Sequence, residues 1–385
     1  MSVESPLETT SLWSSLVHAR NDRLESEGRW RCPVTFDARG PEGVLTEDGR
    51  KVVAFASDDY LGLSTHPAVV AAAHEALDRW GAGSGASRLV TGTRPVHEEL
   101  EAALASWTGT ERAALFPTGF AANLGVLGAF GDTGVRICSD ENNHASIVDG
   151  ALGSQAEVAV YRHRDVGHLE ELLREARGPA LVVTDVVFSM DGDIAPVRAI
   201  ADACRRHGAL LVLDEARAVV GPDLGPDLAG VDVLRVGRLS KSLGSLGGFV
   251  AGRSAFIDLL VNRARSYVFT TAPSPPDCAA ALAALRVLST PEGDRRRARL
   301  ARHIAHVAPG HASQIIPIVV GSDEQTVAAS AALCRLGVWV PAIRPPTGTS
   351  RLRVSLSAAH TSAHIDLLLE ALAAVPKSQG GRALN

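Results

Sequence analysis

The sequence predicts an α/β protein in which a large domain, built on a mostly parallel central sheet, is followed by a small C-terminal α/β domain. Three observations predict it. Short Val/Leu/Ala runs without polar alternation recur from residue 112 to residue 251, as strands buried on both faces do. Helical patterns separate them, which a parallel sheet requires. A second, shorter β–α–β pattern follows residue 308, and 385 residues, 46 % hydrophobic and 21 % charged, suffice for one large core and a smaller one.

Residues 8 to 27 have the spacing of an amphipathic helix, and RGPEGVLTEDGR (39–50) places turn residues between two short strand-like stretches. These form an N-terminal arm, residues 1–55. PAVVAAAHEALDRWG (67–81) and PVHEELEAALASW (95–107) predict helices. Strands are predicted at RAALF (112–116), VRICS (135–139), EVAVY (157–161), ALVVT (180–184), ALLVL (209–213), DVLRV (232–236) and GGFVA (247–251), all within a large domain spanning 56–285. A helical stretch over 276–308 leads into the small domain, 286–385. There SQIIPIVVG (313–321), GVWVPAI (337–343) and RLRVSLS (351–357) read as strands and 323–336 and 362–374 as helices, with RPPTGT (344–349) as a break. No internal repeat or low-complexity linker is visible.

A formal net charge of −5 gives no footprint for nucleic acid, and the basic run GDRRRARLAR (293–302) has the spacing of a solvated helix face. No apolar run approaches the ~18 residues of a membrane helix, and the N-terminus has no basic start followed by an apolar stretch. A cytoplasmic protein without membrane contact is expected. The five cysteines (Cys32, Cys138, Cys204, Cys278, Cys334) are scattered and never spaced C-x-x-C, so reduced thiols filling core space are expected, with no disulfide framework and no metal site.

Two stretches invite nucleotide chemistry and fail. In GAGSGASRLVTG (81–92) Arg88 occupies the place of the third glycine of a dinucleotide loop, and the stretch follows a helix instead of a strand. The apolar strand ending in Asp214-Glu215 would need a phosphate loop with G-K, yet Lys241 follows Ser240. What remains is a strand ending in Asp214 and, 27 residues later, a lysine in a Ser/Gly turn after the next strand. Open α/β sheets bind ligands at the carboxyl ends of their strands. Among 38 basic residues only Lys51, Lys241 and Lys377 are lysine. An amine can lose its proton and form an imine, whereas a guanidinium cannot, so Lys241 fits Schiff-base chemistry.

Nine stretches in one order then carry a resemblance. They are DDYLGLSTHP (58–67), GASRLVTGT (85–93), LFPTGFAAN (115–123), NHASIVDG (143–150), VFSMDGDIAP (187–196), LDEA (213–216), LSKSLGSLGG (239–248), FTTA (269–272) and RPPTGTSRLR (344–353). The chain resembles, over nearly its whole length, the α-oxoamine synthases, pyridoxal-phosphate (PLP) enzymes of fold type I, and most closely their 8-amino-7-oxononanoate synthase branch. The resemblance implies that Lys241 forms the cofactor imine and later moves the Cα proton. It implies that Asp214 keeps the pyridine nitrogen protonated and that His144 stacks on the ring. Gly119 and Phe120 match backbone amides that hold the phosphate at a helix N-terminus. Ser189 matches a serine near the phenolic oxygen. Thr271 matches a threonine that reaches the phosphate from a second subunit, implying a homodimer with shared active sites. Arg353 matches an arginine that grips the amino acid carboxylate, and Arg29, Arg344 and Thr347 complete the implied substrate contacts. The implied reaction condenses an amino acid with an acyl thioester of CoA or an acyl carrier protein, with loss of CO₂.

Four departures surround the implied substrate. Arg217 stands where the family has a histidine, Arg238 where it has a phosphate-binding threonine, and Asp58 where an asparagine helps hold the substrate carboxylate; the loop at PPTGT is three residues short. A guanidinium cannot serve as a neutral base, though it binds phosphate well. Arg217 is a candidate counter-ion for Asp58. Three alternatives follow: a biotin-pathway synthase, a divergent relative with a different amino or acyl donor, or a non-catalytic partner subunit. Lys241 argues against the last.

Overall fold

The computed structural model describes residues 11–218, 228–345 and 349–375. It begins with α1 (Leu12–Ser26), whose Ser11 cap accepts the Ser14 N–H. No residue of α1 is buried, and Leu12 and Trp13 are 91 % and 74 % exposed, so these two side chains have little cover among the described residues. The strand-like stretches of the arm form an antiparallel set of β1 (Phe36–Ala38), β2 (Glu42–Leu45) and β3 (Arg50–Ala54).

Helices α2 (Pro67–Trp80) and α3 (Pro95–Thr108) each start with proline, whose missing N–H costs nothing in a first turn. The glycine-rich stretch between them has a structural task. Arg88, 8 % exposed, donates to both Glu101 oxygens at 2.8 and 3.0 Å and to Thr93 Oγ1 at 3.0 Å. Glu101 in turn accepts the Leu115 N–H at 2.9 Å and so ties the loop to β4 (Arg112–Phe116).

The central sheet continues as α4 (Gly119–Phe130), β5 (Arg136–Asp140), α5 (Ala145–Leu152), β6 (Glu157–Tyr161), α6 (Val166–Glu175), β7 (Ala180–Asp185), α7 (Val197–His207), β8 (Leu210–Asp214), β9 (Val233–Arg238) and β10 (Gly248–Gly252). Strand order is β4-β10-β9-β8-β7-β5-β6. The five strands from β9 to β6 pair in parallel. β10 is antiparallel to both neighbours. It is the exception in the mostly parallel sheet, and the cause is the short turn over 239–247, too short for the crossover a parallel partner needs. Adjacent residues serve opposite faces. Val212 packs with Phe116, Val126 and Ile147, whereas Leu211 and Leu213 pack with Leu169, Ile200 and Cys204. Each such buried side chain stabilises the fold by about 1.5–3 kcal/mol, which is why these strands show no polar alternation.

The chain then forms α8 (Ser254–Arg263), α9 (Arg265–Val268), α10 (Pro275–Leu288), α11 (Pro291–Val307), β11 (Ile315–Ile318), α12 (Asp323–Arg335), β12 (Val338–Trp339), β13 (Ala342–Ile343), β14 (Arg351–Ser355) and α13 (Ser362–Ala374). The helical stretch over 276–308 is two helices, because Thr290 caps a new start at Pro291. GVWVPAI is split as well: β12 pairs with β3 of the arm, and β13, after Pro341, with β14. The basic run lies on α11, with Arg295, Arg299 and Arg302 outward and Leu300 and Ile304 inward. Cys138, Cys204 and Cys278 fill the core as expected, whereas Cys32 is exposed.

Candidate active site

Parallel strands deliver their last residues to one edge, and here Asp185 ends β7, Asp214 ends β8, and the turn after β9 carries Lys241. Asp214 is 1 % exposed. Its Oδ1 accepts the Ala216 N–H at 2.9 Å, and its Oδ2 accepts Asn123 Nδ2 at 2.7 Å and faces Arg238 Nη2 at 3.4 Å. Burial alone raises the pKa of such a carboxyl, but Arg238, Asn123 and the Ala216 N–H outweigh it and hold Asp214 below the ordinary carboxylate range. Asp185 goes the other way. Burial and then the charge of Asp214 push it up to about 7, and its Oδ1 has no partner among the described residues.

His144 caps α5. Its Nδ1 accepts the Ser146 N–H at 3.2 Å, the Ser146 hydroxyl at 2.8 Å and Arg238 Nη2 at 3.3 Å, and its own backbone N–H donates to Asp185 at 2.8 Å. Donors converging on Nδ1 leave the ring proton on Nε2. Burial, then Arg238 and Arg217, lower its pKa to about 4, so the ring is neutral at pH 7. Asn123 spends its second amide hydrogen on Ser146 Oγ at 2.9 Å, which links Asp214 to the serine that the histidine ring meets. The Phe120 ring meets His144 edge-on, with centroids 6.5 Å apart.

Gly119 and Phe120 open α4, where the Thr118 hydroxyl caps Ala121 N–H at 3.0 Å. The first N–H groups of a helix lack carbonyl partners and favour an anion. A Cβ on Gly119 would lie 2.4 Å from Arg238 Cγ, so any larger residue there would have to displace the Arg238 stem that crosses this helix start.

Lys241 is 4 % exposed. Its Nζ donates to Asp58 Oδ2 at 2.7 Å and stands 5.8 Å from the centre of the Tyr60 ring. Its turn is fixed by Gly244, at φ +60°, where a Cβ would strike the Ser64 nitrogen at 2.3 Å. Burial and the charge of Arg217 bring the Lys241 pKa down to about 8, against the opposing pull of Asp58. Asp58 accepts the Tyr60 hydroxyl at 2.8 Å; burial works to raise its pKa, but Lys241 dominates and it falls to about 2. Arg217 is 5 % exposed, and its Nε and Nη1 have no partner among the described residues. Burial opposes its charge, while Tyr60, Asp185, Asp58 and Asp214 around it support it.

Arg353, on β14, donates from Nη1 to the Ser189 carbonyl at 3.3 Å, and its buried Nε is unpartnered among the described residues. An Arg351–Asp191 ion pair fastens the Ser189 segment to the same strand.

Lys241, Asp214, His144, Gly119, Phe120, Ser189, Asp58, Arg217, Arg238 and Arg353 thus converge. Arg29 sits apart on the arm and pairs with Glu27 at 3.0 Å. Arg344 donates to the Gly28 and Trp30 carbonyls, fastening the arm to the small domain. Thr271 is exposed in the turn before α10, and Thr347 lies outside the described residues. Asn123, Asp185 and Tyr60 were not singled out from sequence. Asn123 and Tyr60 end or interrupt quoted motifs, and Asp185 is a strand-end carboxylate like Asp214.

An amine near pKa 8, a buried anion, a neutral imidazole and a helix N-terminus beside two guanidinium groups suit one kind of ligand. It carries an electrophilic carbonyl for the amine, a cationic centre for the buried carboxylate and an anionic group for the helix N-terminus. Comparisons with known proteins agree. The family model for class I and II aminotransferases matches residues 50–372. The chain is 51 % identical over 385 residues to an 8-amino-7-oxononanoate synthase of Anaeromyxobacter dehalogenans strain 2CP-1, covering 93 % of this chain and 95 % of that one. It is 48 % identical to one from Methylobacterium sp. strain 4-46, covering 95 % and 98 %. Among solved structures, a serine palmitoyltransferase from S. paucimobilis with a bound PLP–myriocin aldimine superposes with a TM-score of 0.86 at 31 % identity, covering 95 % and 98 %. An 8-amino-7-oxononanoate synthase from Francisella tularensis gives 0.70 at 26 %, covering 83 % and 96 %. The chain belongs to the class I and II aminotransferase family and, within it, to the α-oxoamine synthases.

Proposed function

We propose that this α-oxoamine synthase is an 8-amino-7-oxononanoate synthase that joins L-alanine to a pimeloyl thioester, with loss of the thiol and CO₂, to give an α-amino ketone. The observation that carries it is a buried Lys241 amine held beside Asp58 at the carboxyl edge of a sheet whose next strand end is the anion Asp214. Pyridoxal phosphate, when bound, supplies the electron sink for a carbanion at Cα.

The residues present fit that cofactor. Lys241 would hold it through Nζ and Asp214 would sustain the charge on its ring nitrogen, while Asn123 keeps Asp214 aimed. Neutral His144 and Ser189 would line its ring, and Gly119, Phe120 and Arg238 would hold its phosphate. Arg353 grips the amino acid carboxylate in two-point fashion. Lys241, once free of the cofactor, would accept the Cα proton on Nζ and later return one. Asp58 and Arg217 set the charge around that amine.

A homodimer with shared sites, and a cytoplasmic location, belong to the same reading. The bare side chains of α1 and the 73 % exposed Phe269 beside Thr271 support a subunit interface there. Among the described residues no helix is long and apolar enough to cross a membrane. The unpartnered N–H groups of buried Arg217 favour a second reading, a donor pair with an additional anionic group. One experiment separates them. Purified protein loaded with pyridoxal phosphate is mixed with L-alanine and pimeloyl thioester, and CO₂ release is followed. Release supports the first reading, and silence with alanine but turnover with another amino acid overturns it.

A further inference from the structure

Arg238 is an awkward guest where it stands. Its Nη2 reaches Asp214 Oδ2 at 3.4 Å and His144 Nδ1 at 3.3 Å, both long for a charged donor, and its buried Nε has no partner among the described residues. Its stem meanwhile lies against the bare Cα of Gly119, at the amide-rich start of α4. A carboxylate as buried as Asp214 requires a nearby cation, and Arg238 is the one whose Nη2 faces its Oδ2. We propose that Arg238 is a displaceable internal counter-ion: it occupies the place beside Asp214 that the cofactor's ring nitrogen takes, and on loading its guanidinium moves to the phosphate at the N-terminus of α4. The inference rests on the cofactor reading above. It makes cofactor uptake an exchange, in which Asp214 trades one cation for another and Arg238 trades a poor acceptor set for phosphate oxygens. A residue that merely bound phosphate would leave the affinity for a phosphate-free analogue untouched.

The test uses cofactor-free protein titrated with pyridoxal phosphate and, separately, with pyridoxal, in wild type and R238T, together with the melting temperature of each cofactor-free protein. R238T is expected to bind pyridoxal about tenfold more tightly, since no internal cation has to leave, and to lose about tenfold or more of the preference for the phosphorylated form. Its cofactor-free melting temperature falls by several degrees, and loading recovers most of the difference. If pyridoxal affinity and the cofactor-free melting temperature are unchanged, Arg238 is not a counter-ion. If pyridoxal binding tightens but the preference for phosphate stays, the second seat is wrong. Should R238T fail to fold, R238Q keeps size and hydrogen bonding while removing the charge, with the same expectations. Wild-type protein that is folded yet binds neither ligand overturns the cofactor reading itself, a different result from either failure of Arg238.

Discussion

The two ends of the site each set a cation against a carboxylate, and they do so differently. At the lysine end, Lys241 lies 2.7 Å from Asp58, whose other oxygen takes the Tyr60 hydroxyl, and the Asp58 side chain is 40 % exposed. At the ring end, Arg238 stands 3.4 Å from an Asp214 side chain with no exposure, and Asn123 Oδ1, Asp185 Oδ1 and Arg238 Nε have no partner among the described residues. Buried polar groups are rarely left unsatisfied except where a ligand meets them. At the lysine end the Lys241–Asp58–Tyr60 set is partnered and tunes an amine, with Arg217 beside it keeping Nε and Nη1 unpartnered among the described residues; at the ring end the orphaned groups surround Asp214 itself.

The largest effects should follow that division. Lys241→Ala is expected to lower turnover by at least about 10³-fold in a folded protein, because both the anchor and the proton carrier go. Asp214→Asn should cost about 10²-fold and weaken cofactor binding, since it removes the preorganised charge at the ring end. Asp58→Asn should cost less than about tenfold at its own optimal pH, because it removes only a tuning charge. Steady-state rates and cofactor titrations of the three variants check the order. A larger loss from Asp58→Asn than from Asp214→Asn would reverse the comparison.

A second pair of variants sharpens the lysine end alone. Protonated Lys241 cannot attack an aldehyde, so cofactor capture should speed up as pH rises through about 8. Asp58 supports the ammonium and Arg217 opposes it. Asp58→Asn should therefore move the midpoint to lower pH and Arg217→Gln to higher pH. Stopped-flow absorbance on mixing cofactor-free protein with pyridoxal phosphate, at pH values on both sides of 8, reads both midpoints. Shifts in the same direction would mean that the amine does not feel these two charges separately.

Much of this was legible in the chain, and the part that was not has a physical cause. Strands buried on both faces announce themselves as unbroken apolar runs, so β5, β7 and β8 fall where RICSD, ALVVTD and LLVLD stand. Lys241 and Asp214 were legible because residue type and strand end coincide. Strand direction is another matter: β10 looks like its neighbours, and only the length of the turn before it distinguishes it. Asn123 and Asp185 act through partners distant in sequence, 91 residues apart for Asn123 and Asp214, and local pattern carries no such pairing. The contact of Arg238 with both Asp214 and His144 is of the same kind: the sequence puts Arg238 at a phosphate-binding position, and its approach to these two residues is visible only once the sheet is assembled.

The smallest effect expected tests the ring end from its backbone side. In Gly119→Ala the new methyl would lie 2.4 Å from Arg238 Cγ, and the arginine stem must shift to make room. Overpacking of this kind costs about 1–3 kcal/mol when neighbours are rigid, and a flexible stem should bring it to the low end, about 1 kcal/mol in cofactor-free stability. In an Arg238→Ala background the obstructing methylenes are gone, so the same substitution should cost much less, and the double-mutant cycle should show a coupling of at least about 0.5 kcal/mol. Gly119 has a second neighbour to consider: a Cβ on Gly248 would lie 2.6 Å from the Gly119 nitrogen, so β10 presses on the same helix start. If Gly119→Ala costs the same in both backgrounds, the close packing of α4 on β10, and not room for Arg238, is what requires glycine at position 119.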